Sequence, residues 1–262
     1  MSEHIPRKRF GQHFLHDPQV LRRIVDAIAP APSDRLVEIG PGQGALTAPL
    51  LARGATLTAI ELDRDLAPAL AELPGAAQRL SVLQSDALTL NYAYLADSLG
   101  GPLRLCGNLP YNISTPLIFH LLGFRGHVID MHFMLQKEVV LRMAATPGSK
   151  TYGRLSVMLG AVCEVEMLFH VGPGAFNPPP KVDSSVVRIR IPRRAPVQVD
   201  DTALFASLVR QAFSMRRKTL RNALKRLVDA STIEAAGLDP GARPETLTAA
   251  DYAALTRAAA TP

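Results

Sequence analysis

From residue 35 the chain repeats one pattern: a short apolar run, a short loop, then a stretch of helical character. The apolar runs fall at 35–39, 55–60, 80–84, 103–105 and 128–135. The helical stretches fall at 45–53, 65–72, near 92–99, at 115–122 and from 137. Parallel strands need a long crossover between them, and helices of this spacing supply it. The alternation therefore predicts an α/β fold with a doubly wound, mostly parallel, Rossmann-like sheet. After residue 152 the rhythm changes. Residues 154–163 read as helix, and 164–170 and 184–191 read as two strands around AFNPPPKVD, which is too rich in proline for either element. This late pair predicts an antiparallel edge hairpin. Proline and charge mark a boundary at 192–196, and 202–214, 216–228 and a segment after 248 read as helices. Two domains are expected: 1–192, carrying the sheet and the chemistry, and 193–262, small and all-helical.

Composition narrows the class. Of 262 residues 47% are hydrophobic and 20% charged, the profile of a globular chain. No apolar run approaches the ~20 residues of a membrane span. MSEHIPRKRFGQHFL has a basic patch with no apolar segment after it, so it does not read as a secretory signal. Two cysteines, Cys106 and Cys163, are too few for a disulfide framework or a zinc site, and no metal is expected. A reducing, cytoplasmic setting fits. Net charge is +6 and uneven: residues 181–226 hold twelve Lys or Arg against three Asp. A second cluster is Arg7-Lys8-Arg9. Clustered positive charge suggests a polyanionic partner, most simply nucleic acid. The plainer alternative is a solvated basic surface.

Three successive strand ends carry ligand chemistry. Residues 36–44 read LVEIGPGQG, a strand entering Gly40-x-Gly42-x-Gly44 with a helix straight after. Glycines there let the backbone approach a ligand at the helix N-terminus. The spacing is not the G-x-G-x-x-G of dinucleotide binders. Glu61 ends the second strand about 20 residues after the first glycine, where an acid accepts hydrogen bonds from both ribose hydroxyls. Asp86 ends the third, placed to accept from an adenine amino group, or alternatively to cap a helix. Adenosine with an unphosphorylated ribose favours S-adenosylmethionine over NAD, since no other anchor for a pyrophosphate is evident.

The fourth strand ends in Asn108-Leu109-Pro110-Tyr111. An exocyclic amine on adenine is a poor nucleophile because its lone pair is delocalised into the ring. The Asn108 amide oxygen and a Leu109–Pro110 carbonyl can accept its two hydrogens and aim the lone pair at a methyl donor, while Pro110 fixes the turn. Tyr111 can stack on the base, a contact worth about 1–3 kcal/mol. Presentation of this kind implies a nucleotide held out of its stack. Ser114 is expected only to cap the next helix. Phe176, in the stiff AFNPPPKVD loop, is expected either to face the base opposite Tyr111 or to pack in the core.

LVEIGPGQGALT, IELDRDL, NLPYNISTPL, MLQKEV, YGRLSV, FNPPPKVDSSVV and FSMRRKTLRNAL occur in one order, after RKRFGQHFLHD. Together these blocks resemble the ribosomal RNA small-subunit adenine dimethyltransferases of the KsgA type, over about residues 7–226. The resemblance implies S-adenosylmethionine as donor and two adjacent adenines near the 3′ end of small-subunit ribosomal RNA as acceptors, each becoming N6,N6-dimethyladenine. It implies an immature small ribosomal subunit as the partner. A monomer is expected. It carries cofactor contacts onto His13, Leu15, Gly40, Glu61, Asp86 and Asn108, with Gly42 in the same loop. His13 departs from the Asn common there in the family. Arg216, Arg217, Lys218, Arg221 and Lys225 are then expected to contact RNA phosphates. The rivals are a large-subunit RNA methyltransferase of the macrolide-resistance type, a DNA adenine methyltransferase, a non-catalytic assembly or transcription factor on the same fold, and an NAD dehydrogenase.

Overall fold

The computed structural model describes residues 13–260, so the Arg7-Lys8-Arg9 cluster lies outside the described residues. By contact the chain divides into two units. The first holds the residues up to Val140 with Glu166–Arg190; the second holds Leu141–Val165 with the chain from Ile191 onward.

In the first unit a short strand β1 (Phe14–Leu15) precedes helix α1 (Pro18–Ile28). The Asp17 side chain accepts from the N–H groups of Gln19 and Val20, and Pro18 occupies the first turn. That Asp-Pro start is a strong helix signal. Then follow β2 (Arg35–Ile39), α2 (Thr47–Ala52), β3 (Leu57–Glu61), α3 (Ala67–Ala71), α4 (Ala76–Arg79), β4 (Leu80–Gln84), α5 (Tyr92–Ser98), β5 (Leu103–Asn108), α6 (Ser114–Leu122), β6 (Val128–Gln136) and α7 (Lys137–Met143). After α8 (Arg154–Gly160) come β7 (Glu164–Val171), β8 (Phe176–Asn177) and β9 (Ser184–Arg190).

Seven of these strands form one sheet in the order β4-β3-β2-β5-β6-β9-β7. The pairs from β4 to β6 are parallel. β9 runs antiparallel to β6, and β7 lies beyond it at the edge. The expected mostly parallel sheet with an antiparallel edge is therefore present. β2 and β3 are buried almost throughout, as strands covered on both faces must be. β1 and β8 make a separate two-stranded antiparallel ladder.

The second unit contains α8, α9 (Thr202–Ser214), α10 (Leu220–Leu224), α11 (Ala230–Ala235) and α12 (Ala249–Ala260). Its limits differ from the sequence expectation of a first domain ending at 192. Tyr152, Val157 and Ala161 share a core with Phe205, Leu208, Leu220 and Tyr252, and the Tyr152 hydroxyl donates to the Leu247 carbonyl at 2.8 Å. Residues 141–165 thus cluster with the C-terminal helices. The helix expected at 216–228 is also shorter. Thr219 is extended (φ −65°, ψ 158°), so α10 starts only at Leu220, after a turn at 215–218. Arg217, Lys218, Arg221 and Lys225 are exposed, whereas Arg216 is held by Glu245 and the Ser149 carbonyl.

Candidate active site

The strand order reverses at β2. β3 and β4 lie to one side of it, β5 and β6 to the other. In such sheets the crevice outside the carboxyl ends of the strands, at the reversal, binds the ligand. A cavity of about 210 Å³ opens there, lined by the ends of β2, β3, β4 and β5 and by His13, Phe14 and Leu15.

The glycine loop is tied to the end of β3. Gly40 N–H donates to the Ile60 carbonyl at 2.9 Å, and Gly42 N–H donates to Glu61 Oε2 at 3.1 Å. Gly42 has φ +58°, and a side chain there would meet the Phe14 ring at 3.0 Å, so the position requires glycine. Glu61 Oε1 accepts from Asp63 N–H at 2.9 Å. Both carboxylate oxygens are thereby fixed, each with a lone pair left for a ligand hydroxyl. Asp86 accepts from Leu88 N–H through Oδ1 at 2.9 Å, while Asn91 caps α5. Asp86 therefore braces its own loop at the cavity wall and does not cap that helix.

Two further acids line the cavity, Glu38 and Asp63. Glu38 is 1% exposed, and its Oε2 accepts from the Thr47 hydroxyl at 2.7 Å. Burial pushes its pKa up to about 7, against the Thr47 hydrogen bond that lowers it, and nearby Glu61 raises it further. Four carboxyl groups and no lysine or arginine line the cavity among the described residues. A pyrophosphate would find no counter-charge here. A cationic ligand would find several.

At the end of β5, Asn108 Nδ2 donates to the His13 carbonyl at 2.9 Å. A carbonyl only accepts, so the facing atom must be the amide nitrogen, and Oδ1 is left as the acceptor. Pro110's carbonyl accepts from Ile113 N–H at 3.2 Å, whereas the Leu109 carbonyl has no backbone partner among the described residues. Of the two carbonyls expected at this turn, Leu109 is the uncommitted one. The Tyr111 hydroxyl is 2.7 Å from Ser184 Oγ, and burial raises its pKa. His13, Leu15, Gly40, Gly42, Glu61, Asp86, Asn108, Leu109, Pro110 and Tyr111 all line the cavity.

One expectation needs correction, and for Phe176 the core alternative describes the structure. Phe176 is 3% exposed, sits opposite Leu15 in the β1–β8 ladder, and packs in the apolar cluster with Leu15 and Val171. The ladder turns its ring into the core, and it is not among the lining residues. Ser114 does not cap α6 from outside: the helix starts at Ser114 itself, which is buried, and its hydroxyl donates to the Tyr111 carbonyl at 3.1 Å.

The family model for ribosomal RNA adenine dimethylases matches residues 3–260. The chain belongs to that family. This dimethylase is 56% identical over 259 residues to the ribosomal RNA small subunit methyltransferase A of Pseudomonas aeruginosa, covering 99% of this chain and 95% of the relative. It is 55% identical over 249 residues to the protein of the same name from Idiomarina loihiensis, covering 95% and 86%. Among solved structures, a dimethyladenosine transferase from Plasmodium falciparum is similar with TM-score 0.78 and 26% identity, covering 93% of this chain and 96% of that one. The 23S rRNA methyltransferase ErmE shares the fold with TM-score 0.74 at 24% identity, covering 94% and 98%.

Sequence reasoning passed over two groups, one lining the dimethylase's cavity and one bonded to the Tyr111 hydroxyl. Glu38 stands inside the quoted LVEIGPGQG, and an acid in the middle of a buried strand was the available signal. Ser184 belongs to the VDSS block, but its pairing with Tyr111 spans 73 residues and has no local signature.

Proposed function

We propose that this chain transfers methyl groups from S-adenosylmethionine to N6 of two adjacent adenines in the 3′-terminal hairpin of small-subunit (16S) ribosomal RNA, giving N6,N6-dimethyladenines during subunit assembly. The observation that carries the reading is the forced orientation of Asn108, whose Oδ1 is left as an acceptor in an acid-lined cavity of a dimethylase-family chain.

The residues present fit the cofactor. S-adenosylmethionine supplies an electrophilic methyl group on a sulfonium cation. Glu61, with both oxygens anchored, would take the ribose hydroxyls, and Asp86 the adenine amino group. Gly40, Gly42, Leu15 and the main chain of His13 would shape the wall around it, and Glu38 supplies a carboxyl group whose ionised form a cationic ligand favours. On the acceptor side, Asn108 Oδ1 and the Leu109 carbonyl would accept the two hydrogens of the adenine amine. That concentrates its lone pair on nitrogen and aims it. Tyr111 would stack on the base. No side-chain base is required, because an alkylated ammonium releases its proton readily to water. The exposed cations of the second unit would hold RNA by its phosphates, leaving selection to RNA shape and to unstacked bases. We take the acting species to be a monomer in the cytoplasm, engaging an immature small subunit.

The test is mass spectrometry of ribosomal RNA after incubation with S-adenosylmethionine and subunits from cells lacking the enzyme. Two dimethylated adenines in the small-subunit 3′ hairpin are expected. Methylation of large-subunit RNA alone would overturn the assignment in favour of the macrolide-resistance type, and no methylation of either would overturn the activity.

A further inference from the structure

His13 stands where three parts of the acceptor side meet. In the β1–β8 ladder Leu15 faces Phe176 and Phe14 faces Asn177, and His16 N–H donates to the Ala175 carbonyl at 2.9 Å. Hydrogen-bonded and non-bonded pairs alternate along an antiparallel ladder. Since His16 and Ala175 are bonded, Phe14 and Asn177 form the next bonded pair. The main-chain groups of the pair beyond, His13 and Pro178, then turn away from one another. The ladder cannot join them, but the side chain does: His13 Nδ1 lies 2.8 Å from the Pro178 carbonyl. A carbonyl only accepts, so Nδ1 carries the hydrogen. The His13 carbonyl, free of ladder duty, takes Asn108 Nδ2 at 2.9 Å and decides which end of that amide is left as acceptor. The imidazole also stacks on Tyr111, with ring centroids 5.8 Å apart and planes at 28°. Tyr111 is thus held at one face by His13 and at its hydroxyl by Ser184.

We infer that the His13 side chain is a positioning residue for the acceptor base: a latch from the 13–15 segment to the proline loop that sets both the Asn108 amide and the Tyr111 ring. The inference rests on the proposed dimethylase activity, and it separates the side chain from the cofactor, to which the family resemblance assigned this position. Asparagine carries its Nδ2 on Cγ, as histidine carries Nδ1, so His13→Asn keeps the tether. His13→Leu has similar branching and no donor.

The experiment measures three quantities for the full-length wild type and both variants: S-adenosylmethionine affinity by calorimetry, kcat and KM on under-methylated small subunits, and the side-chain amide resonance of Asn108. For His13→Leu we expect unchanged cofactor affinity, a kcat lower by about 10- to 100-fold as a misplaced acceptor group would give, and a shifted Asn108 resonance. His13→Asn should restore both kcat and resonance. Unchanged cofactor affinity also reports that the Leu variant has folded. A Leu variant with wild-type kcat and resonance would overturn the latch, as would parallel loss of kcat and cofactor affinity, which would make His13 a cofactor residue. If the wild type methylates no small-subunit RNA, the functional reading fails, while the Asn108 resonance still decides the latch.

Discussion

Asn108 has one end of its amide committed to the His13 carbonyl and the other left to accept. Asn108→Ala should therefore leave the melting temperature close to wild type while lowering kcat on the order of 10²–10³-fold, the usual loss when one preorganised polar group is removed from a reacting centre. Single-turnover methyl transfer on small subunits checks it, and retention of wild-type transfer would sink the mechanism. Glu38 makes a second residue-scale prediction. Its folded pKa of about 7 lies above the usual carboxyl range, so it stabilises the free protein at low pH, and that contribution is lost as pH rises through about 7. A cationic ligand favours the ionised form instead. S-adenosylmethionine should bind more tightly at pH 8 than at pH 6, and Glu38→Gln should flatten that dependence in calorimetric titrations. Neither side chain's state was readable from its neighbours in sequence. Asn108 was chosen because it ends a strand beside a glycine loop, but the orientation of its amide depends on a residue 95 positions away.

At the scale of elements, the site depends on how closely β2 and β5 approach. A Cβ on Gly107 would sit 2.3 Å from the Ile39 carbonyl oxygen, which is backbone and cannot swing aside. Gly107→Ala should push the carboxyl ends of these strands apart, at a cost of about 1–3 kcal/mol as in other overpacked cores. Urea denaturation would measure that loss. Because Gly40 and Asn108 flank the contact, cofactor affinity should fall with it. Unaltered stability and affinity would show that the strands tolerate the separation. The strands themselves were legible, since apolar runs and turn residues act over a few positions. The β1–β8 ladder was not. Each of its strands has two residues, too few for any periodicity, and the pairing is between segments about 160 residues apart. That is why the sequence left Phe176 between facing the base and packing in the core, whereas the ladder seats its ring in the apolar cluster.

For the whole molecule, a second buried group with a strongly shifted pKa is in the sheet and away from the cavity lining. His132 on β6 is 2% exposed, and neither ring nitrogen has a hydrogen-bond partner among the described residues. Burial lowers its pKa to about 4; Asp130 opposes this, and Arg104, Arg188 and Arg190 add to it. A histidine depressed in the folded state stabilises the fold above its unfolded value near 6.5, and that contribution is lost as pH falls toward about 4, a total of at most ~3 kcal/mol. Glu38 works in the opposite sense between about 4.5 and 7, so the two trends offset each other in the wild type. Urea midpoints should therefore vary little across that window in the wild type and fall steeply with acid in Glu38→Gln. A wild type and variant with parallel pH profiles would contradict the assignment.

The sequence by itself determined the alternation of strands and helices from residue 35 to α7, the glycine loop, the two acids at strand ends and the Asn-Leu-Pro-Tyr turn. These are local: hydrophobic period, turn chemistry and the position of a polar residue at the end of an apolar run. The tertiary structure alone decided which end of the Asn108 amide is left as acceptor, that burial raises the Glu38 pKa, that Phe176 packs in the apolar cluster, and that 141–165 packs with the C-terminal helices. Each of these rests on burial or on a hydrogen bond between residues far apart in the chain, and no pattern along the chain encodes such a distance.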